Sequence, residues 1–315
     1  MKYDFILIDG MNVLHRAAHA YDLGFWENGV YHPTGMVYGF FQILMTTIKR
    51  FADTDCKVIV CWDAGYDHRV EIYPDYKISR RNRELIPEED KTDNQETFTG
   101  QYRGLKKILQ IAGIPQCRAN GFEADDVMAT LARLYDLSGK VAIYTTDQDL
   151  HQCVTQNTHV VSPGFGGGKE KIWDVAAVEK KWNVPPTRVA EVKALLGDSG
   201  DDIPGCAGCG PVSVDKLFAA YGGVEGVLEA AGNPGMLKGT YKGKAWKAAS
   251  LTKSVRENAE LIRISWELAK VVFDAPLQMT DGDRNEPLLN EALGRLRFHS
   301  LQEPDNVALL KRASL

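Results

Sequence analysis

Three short runs, "FILID" (5–9), "KVIVCWD" (57–63) and "KVAIYTTD" (140–147), share one design. Each is rich in β-branched and aromatic residues, and each ends in Asp. Continuous apolar runs of this length suit strands buried on both faces of a parallel sheet. Helical patterns lie between them, at about 34–52, 97–112 and 123–136. The alternation predicts an α/β sheet with helices on both sides. Open sheets of this kind bind ligands beyond the carboxyl ends of their strands, so Asp9, Asp63 and Asp147 are expected to meet along one edge. A lone Asp after a strand caps a helix or makes a turn; the same residue after all three runs asks for more.

The segment "NGFEADDVMATLA" (120–132) sharpens the question by placing Glu123, Asp125 and Asp126 within four positions at a helix start. At ~5 Å and an effective dielectric of ~20, each like-charge pair costs on the order of 3 kcal/mol. The helix dipole returns only ~0.3–1 kcal/mol per acid. Further acids follow at Asp149 in "TTDQDL" and at Asp198, Asp201 and Asp202 in "LLGDSGDDIPG". A solvated acidic face would explain Asp202 alone. For acids spread over the first half yet set at strand ends and helix starts, divalent cations are the better offset. Oxygen-only donors without His or Cys suit hard ions, chiefly Mg²⁺ or Mn²⁺, and two such ions can drive phosphodiester hydrolysis. Setting nine of these carboxylates aside (Asp202 excluded) turns a formal net charge of −5 into +4. The remaining surface is then modestly basic, as a phosphate-backbone binder requires.

With 315 residues, 44% hydrophobic and 25% charged, the chain can form two globular domains or one large one. No apolar run reaches the length of a membrane span, and "MVYGFFQILMTTI" (36–48) reads as a buried helix. The acidic N-terminus reads as no signal peptide. The six cysteines are scattered; the single C-x-x-C at Cys206 and Cys209 lacks a second ligand pair, and free thiols in a reducing cytoplasm are expected.

Two segments suit nucleic acid. "DHRVEIYPDYKISRRNR" (67–83) interleaves Arg69, Tyr73, Tyr76, Lys77, Arg80, Arg81 and Arg83. A helix after Pro74 would set Tyr76, Arg80 and Arg83 on one face, cations for phosphates and rings for stacking; the alternative is an ordinary solvated helix. "IPGCAGCGPVSVDKLFAAYGG" (203–223) has Gly205, Gly208 and Gly210 before Pro211 opens a helix. Its backbone could grip a phosphate at the helix start or simply join two helices. The tract 78–97 is polar and exposed in character, "SPGFGGGKEK" (162–171) is a loop, and the chain beyond about 174 is helical with Gly/Pro breaks.

Taken together, these blocks resemble the 5′ nucleases: flap endonucleases, bacterial and phage 5′→3′ exonucleases, and the N-terminal nuclease domain of bacterial DNA polymerase I. "ILIDGMNVLHRAAHA", "VCWDAGYDHRVEIYPDYKISRR", "GFEADDVMATLA", "YTTDQDLHQCV" and "LLGDSGDDIPGCAGCGPVSVDKL" fall in family order across about residues 4–220. The last ninety or so residues match loosely. Asp202 stands where many members carry Asn.

The resemblance implies a PIN-like α/β nuclease core with a helical arch, plus a helical helix–hairpin or helix–three-turn–helix DNA-binding region. The corresponding ranges are 1–173 (arch about 68–100), 174–290 (motif 195–220) and a tail, 291–315. It implies two metal sites. Asp9, Asp63, Glu123 and Asp125 or Asp126 would hold one; Asp147, Asp149, Asp198 and Asp201 would form the other, partly through waters. Lys77 and Arg80 would contact the scissile phosphate, with Arg69 and Arg81 as weaker candidates, and Tyr76 would stack on a base. The hairpin at Gly205, Gly208 and Gly210 would hold duplex phosphates, with a K⁺ beside it.

The expected activity is Mg²⁺-dependent hydrolysis, with Mn²⁺ able to substitute, at or near 5′ ends of DNA: flaps, nicks, gaps and RNA–DNA hybrid. In-line attack would leave a 5′-phosphate without a covalent intermediate, in primer removal, repair or recombination, by a monomer in a bacterial or phage-infected cytoplasm with no membrane partner. Two rivals are a PIN-type ribonuclease and a catalytically inactive DNA-junction binder. A haloacid-dehalogenase-like phosphatase is rejected, because Asp9 is preceded by Leu7 and Ile8 rather than by Asp-x.

Overall fold

The computed structural model describes residues 1–84, 93–164 and 168–313. It divides into two compact units. Unit 1 comprises Met1–Gly65, Ile86–Asp174 and Val272–Leu315; unit 2 comprises Tyr66–Leu85 and Val175–Val271. Part of the expected arch, 85–92, lies outside the described residues, as do 165–167 of the glycine-rich loop and the side chain of Arg83.

Unit 1 is built on a seven-stranded sheet ordered 278–280, 116–118, 52–61, 3–9, 141–144, 158–162, 171–173. The five inner strands are parallel and the two edge strands antiparallel. The three apolar runs form its centre, with Ile6, Leu7, Ile8, Val58, Ile59, Val60, Val141 and Ile143 buried. Register aligns their ends: Asp9 sits opposite Cys61 and Ile8 opposite Tyr144. The expected buried helix is Gly35–Phe51, with Phe40, Phe41, Leu44 and Ile48 inside the core.

Gly10 permits the turn that follows Asp9. A Cβ there would lie 2.4 Å from the Trp62 ring and 2.8 Å from the Cys61 carbonyl. The last residues return to unit 1. Gln278–Thr280 pairs with Gln116–Arg118, and Leu289, Leu293, Phe298, Leu301 and Leu310 join the main core. That segment adds an edge strand and apolar side chains to unit 1.

Unit 2 packs its helices around Leu195, Leu217, Val224, Val227, Val255 and Ile262, with Cys206 and Cys209 in the same core. All six cysteines are buried free thiols. Among the described residues no helix is long and apolar enough to cross a membrane.

Gly197 (φ +74°) and Gly205 (φ +64°) let two backbone segments cross; a Cβ at Gly205 would lie 2.3 Å from the Gly197 nitrogen. Gly208 (φ +78°) and Gly210 face open space. Replacing Gly205 with Ala should therefore cost about 2–4 kcal/mol, overpacking plus a left-handed backbone, whereas Gly210→Ala should cost under ~1 kcal/mol. Urea midpoints of the two variants check the contrast.

Candidate metal centre and nucleic-acid contacts

The carboxyl edge of the unit 1 sheet carries the acids that the strand ends supply. Asp9 ends its strand and caps the next helix: the Asn12 N–H donates to Oδ1 at 3.0 Å, and the Thr145 hydroxyl donates to Oδ2 at 2.7 Å. Thr145 in turn accepts from the Asp147 N–H at 3.0 Å. Asp147 Oδ1 accepts from the Asp149 N–H at 2.8 Å. One fully buried hydroxyl thus ties the end of the first strand to the turn bearing Asp147 and Asp149. Thr145 was missed by sequence reasoning; its signal, a Thr between an apolar strand and an Asp-rich turn, is weak. Asp63 Oδ1 accepts from the Ala124 N–H at 2.8 Å, which joins the second strand end to the helix Ala124–Tyr135.

Asp125 and Asp126 part company here. Asp126 is fully buried; its Oδ1 accepts from the Val272 N–H at 2.9 Å and its Oδ2 from the Glu123 N–H at 3.4 Å. It caps the helix and anchors the returning chain. Asp125 is only partly buried, with Oδ1 accepting from the Asp126 N–H at 2.9 Å. Glu123, buried, stands at the helix N-cap.

Electrostatics mark Asp9 out. Burial raises its pKa to about 7 against the partial relief of its hydrogen bonds, and the charges of Asp63 and Asp147 push in the same upward direction. Asp63 and Asp147 are near enough to Asp9 for their charges to act on it, and carboxylate oxygens of this kind suit a hard divalent cation.

Unit 2 treats its acids differently. Lys193, buried and also missed from sequence, reaches Asp198 Oδ2 at 3.0 Å. That pair, with the Gly200 N–H, holds the Asp198 pKa down against burial. Asp201 Oδ1 lies 3.3 Å from Lys77 Nζ and 3.5 Å from the half-exposed Arg80. Asp202 accepts from the backbone and side chain of Ser79.

The expected helix after Pro74 begins only at Ile78, because Lys77 adopts a left-handed backbone (φ +51°) with its N–H on the Asp201 carbonyl. Two expectations need correction. Tyr76, 2% exposed, packs with Ile203 and Leu268, so its ring is not presented for base stacking. Arg69, 3% exposed, donates to the carbonyls of Leu268 and Lys270 and is a structural clamp rather than a phosphate contact. Arg81 donates to the Pro74 carbonyl.

The model of a 5′-3′ exonuclease N-terminal, resolvase-like domain matches residues 4–183, and that of a 5′-3′ exonuclease C-terminal SAM fold matches 184–287. The chain is 30% identical over 307 residues to a 5′-3′ exonuclease of Aquifex aeolicus, covering 97% of this chain and 93% of that protein. It is 31% identical over 302 residues to the thermostable DNA polymerase I of Thermus aquaticus, covering 94% of this chain but 32% of the polymerase; it thus spans about a third of that relative's length. In fold it is similar to the bacteriophage T5 flap endonuclease solved with DNA and metal ions, at TM-score 0.63 and 19% identity, covering 99% of each chain.

The raised Asp9 pKa sets a sign for stability. The folded protein holds this proton up to about pH 7, whereas the unfolded chain releases it near 3.8. The folding penalty is therefore absent below the lower value, grows as pH rises between the two, and is full above about 7. Its upper bound is on the order of 4 kcal/mol. Metal-free Asp9→Asn should melt higher than metal-free wild type at pH 8, with the gap closing toward pH 4. Thermal melts in EDTA across that range check it.

Proposed function

The chain belongs to the 5′-3′ exonuclease family, and from that premise we propose that it hydrolyses DNA phosphodiesters at or near 5′ ends, on flaps, nicks and gaps, with Mg²⁺ as its working ion. The observation that carries this reading is the convergence of strand-end carboxylates around a buried Asp9 whose pKa burial raises to about 7. Asp9, Asp63, Glu123 and Asp125 would hold one ion, and Asp147 with Asp149 would serve a second. Asp126, spent on backbone donors, is assigned to scaffolding. Bound divalent cations supply Lewis-acid charge to a phosphodiester and acidify water.

The chain's own contribution is placement. Thr145 fixes Asp9 relative to the Asp147 turn. Asp201 holds Lys77 and approaches Arg80; we assign both cations to the charge that grows on the phosphate in the transition state. Asp201 orients those two cations, while Asp198 pairs with Lys193; both acids remain candidate metal ligands. In unit 2, the open backbone at Gly208 and Gly210, just before the helix Pro211–Tyr221, suits a duplex phosphate and a K⁺.

A 5′-flap substrate with a labelled 5′ end tests the reading. Cleavage in Mg²⁺ and its loss in EDTA are expected; tight binding without cleavage in Mg²⁺ or Mn²⁺ would leave a junction-binding protein instead. Asp147→Asn should cut turnover on the order of 100-fold or more while duplex binding persists. Lys77→Met should slow single-turnover cleavage on the order of 100-fold; a wild-type single-turnover rate would remove Lys77 from the chemistry.

A further inference from the structure

Beside the acidic edge of unit 1 lies a site of opposite charge. A pocket of about 500 Å³ opens next to Trp62, the residue before Asp63, and its lining includes Arg103, Lys106, Lys107 and Arg118 but no carboxylate. Its wall is fixed. The Trp62 indole donates to Gln116 Oε1 at 2.9 Å, and Gln116 Nε2 donates to the Lys106 carbonyl at 3.0 Å. Tyr102 stands edge-on to Trp62 with ring centroids 5.2 Å apart. Lys106 Nζ lies 5.0 Å from the Tyr102 centroid and 5.9 Å from that of Trp62.

Among the described residues none of the four cations forms an ion pair. The crowding registers on Lys106, whose pKa is lowered by burial and then by the charge of Arg118. Tyr102 lines the pocket and packs edge-on against Trp62, the residue before Asp63.

Four cations gathered in one pocket with no carboxylate in its lining, Lys106 half-buried among them, do nothing for folding. An anion between them would offset their repulsion, and Tyr102 offers a ring beside it. We propose that this pocket binds the phosphodiester next to the scissile one on the strand being cut, with Lys106 and Arg118 as its ligands, and so fixes where along that strand hydrolysis falls. The proposal rests on the nuclease reading above and adds a determinant of cleavage position to it.

The test pairs two changes. Lys106→Met keeps the aliphatic stem on Trp62 and removes the charge; Arg118→Gln is the second variant. Flap substrates carry one neutral methylphosphonate, placed on either side of the scissile phosphate. At one of these positions the modification should lower wild-type kcat/KM about tenfold. Lys106→Met should lose about tenfold on the unmodified flap and nothing further on that modified one, because the same contact is removed twice. Losses that multiply at both positions would overturn the proposal, as would an unchanged kcat/KM in both variants.

A structural role is separated by melting temperature and Mn²⁺ binding. Both should hold in Lys106→Met, with the melt unchanged or higher since a repulsive neighbour is gone; a lower melt with lost Mn²⁺ binding would overturn the assignment. A wild-type protein that fails to cleave the unmodified flap removes the nuclease reading and the pocket with it. Normal cleavage with multiplying losses removes the pocket alone.

Discussion

Repulsion among carboxylates at the end of a parallel sheet is the constraint around which unit 1 is organised. Parallel register brings Asp9 level with Cys61 and Ile8 level with Tyr144, so the acids that follow each strand have no freedom to separate. The cost is felt most by Asp9, which is buried by its own strand and by the tight turn at Gly10 beneath Trp62. A fold seeking stability alone would place an amide or hydroxyl there. Keeping the carboxylate makes sense when its charge is used.

The polar atoms around the edge are spent with care. Backbone N–H groups occupy one oxygen each of Asp9, Asp63, Asp125 and Asp147. These bonds orient the carboxylates without neutralising them. Asp126 takes backbone donors on both of its oxygens and locks the helix start to the chain returning at Val272. Adjacent acids in one sequence motif therefore divide into one that faces the edge and one that builds it.

That division was not legible in the sequence, whereas the edge itself was. Apolar runs ending in Asp predicted the strands, their parallel pairing and their common end, because burial on both faces leaves a pattern that needs no tertiary information. What failed were features decided by contacts between distant segments. Tyr76 and Arg69 look like a nucleic-acid face until Leu268 and Ile203 close over the ring and the Leu268 and Lys270 carbonyls take the guanidinium. Lys193 reads as one more solvated helix lysine until Asp198 folds back on it. The hairpin with Asn28 and Gly29 at positive φ carries a local signal, an Asn-Gly turn between short strands.

Carboxylates meet cations differently in the two units. In unit 2, Asp198 pairs with Lys193, and Asp201 with Lys77 and Arg80. In unit 1 the strand-end acids lie along the sheet edge, while the pocket beside Trp62 gathers Lys106 and Arg118 with no carboxylate in its lining. Trp62 and Gln116 fix the pocket wall by hydrogen bonds. An acidic edge and a basic pocket in one unit favour a ligand that is itself alternating: cations for the edge and a phosphate for the pocket. A metal-bound nucleic-acid strand has that alternation, and a small neutral molecule does not.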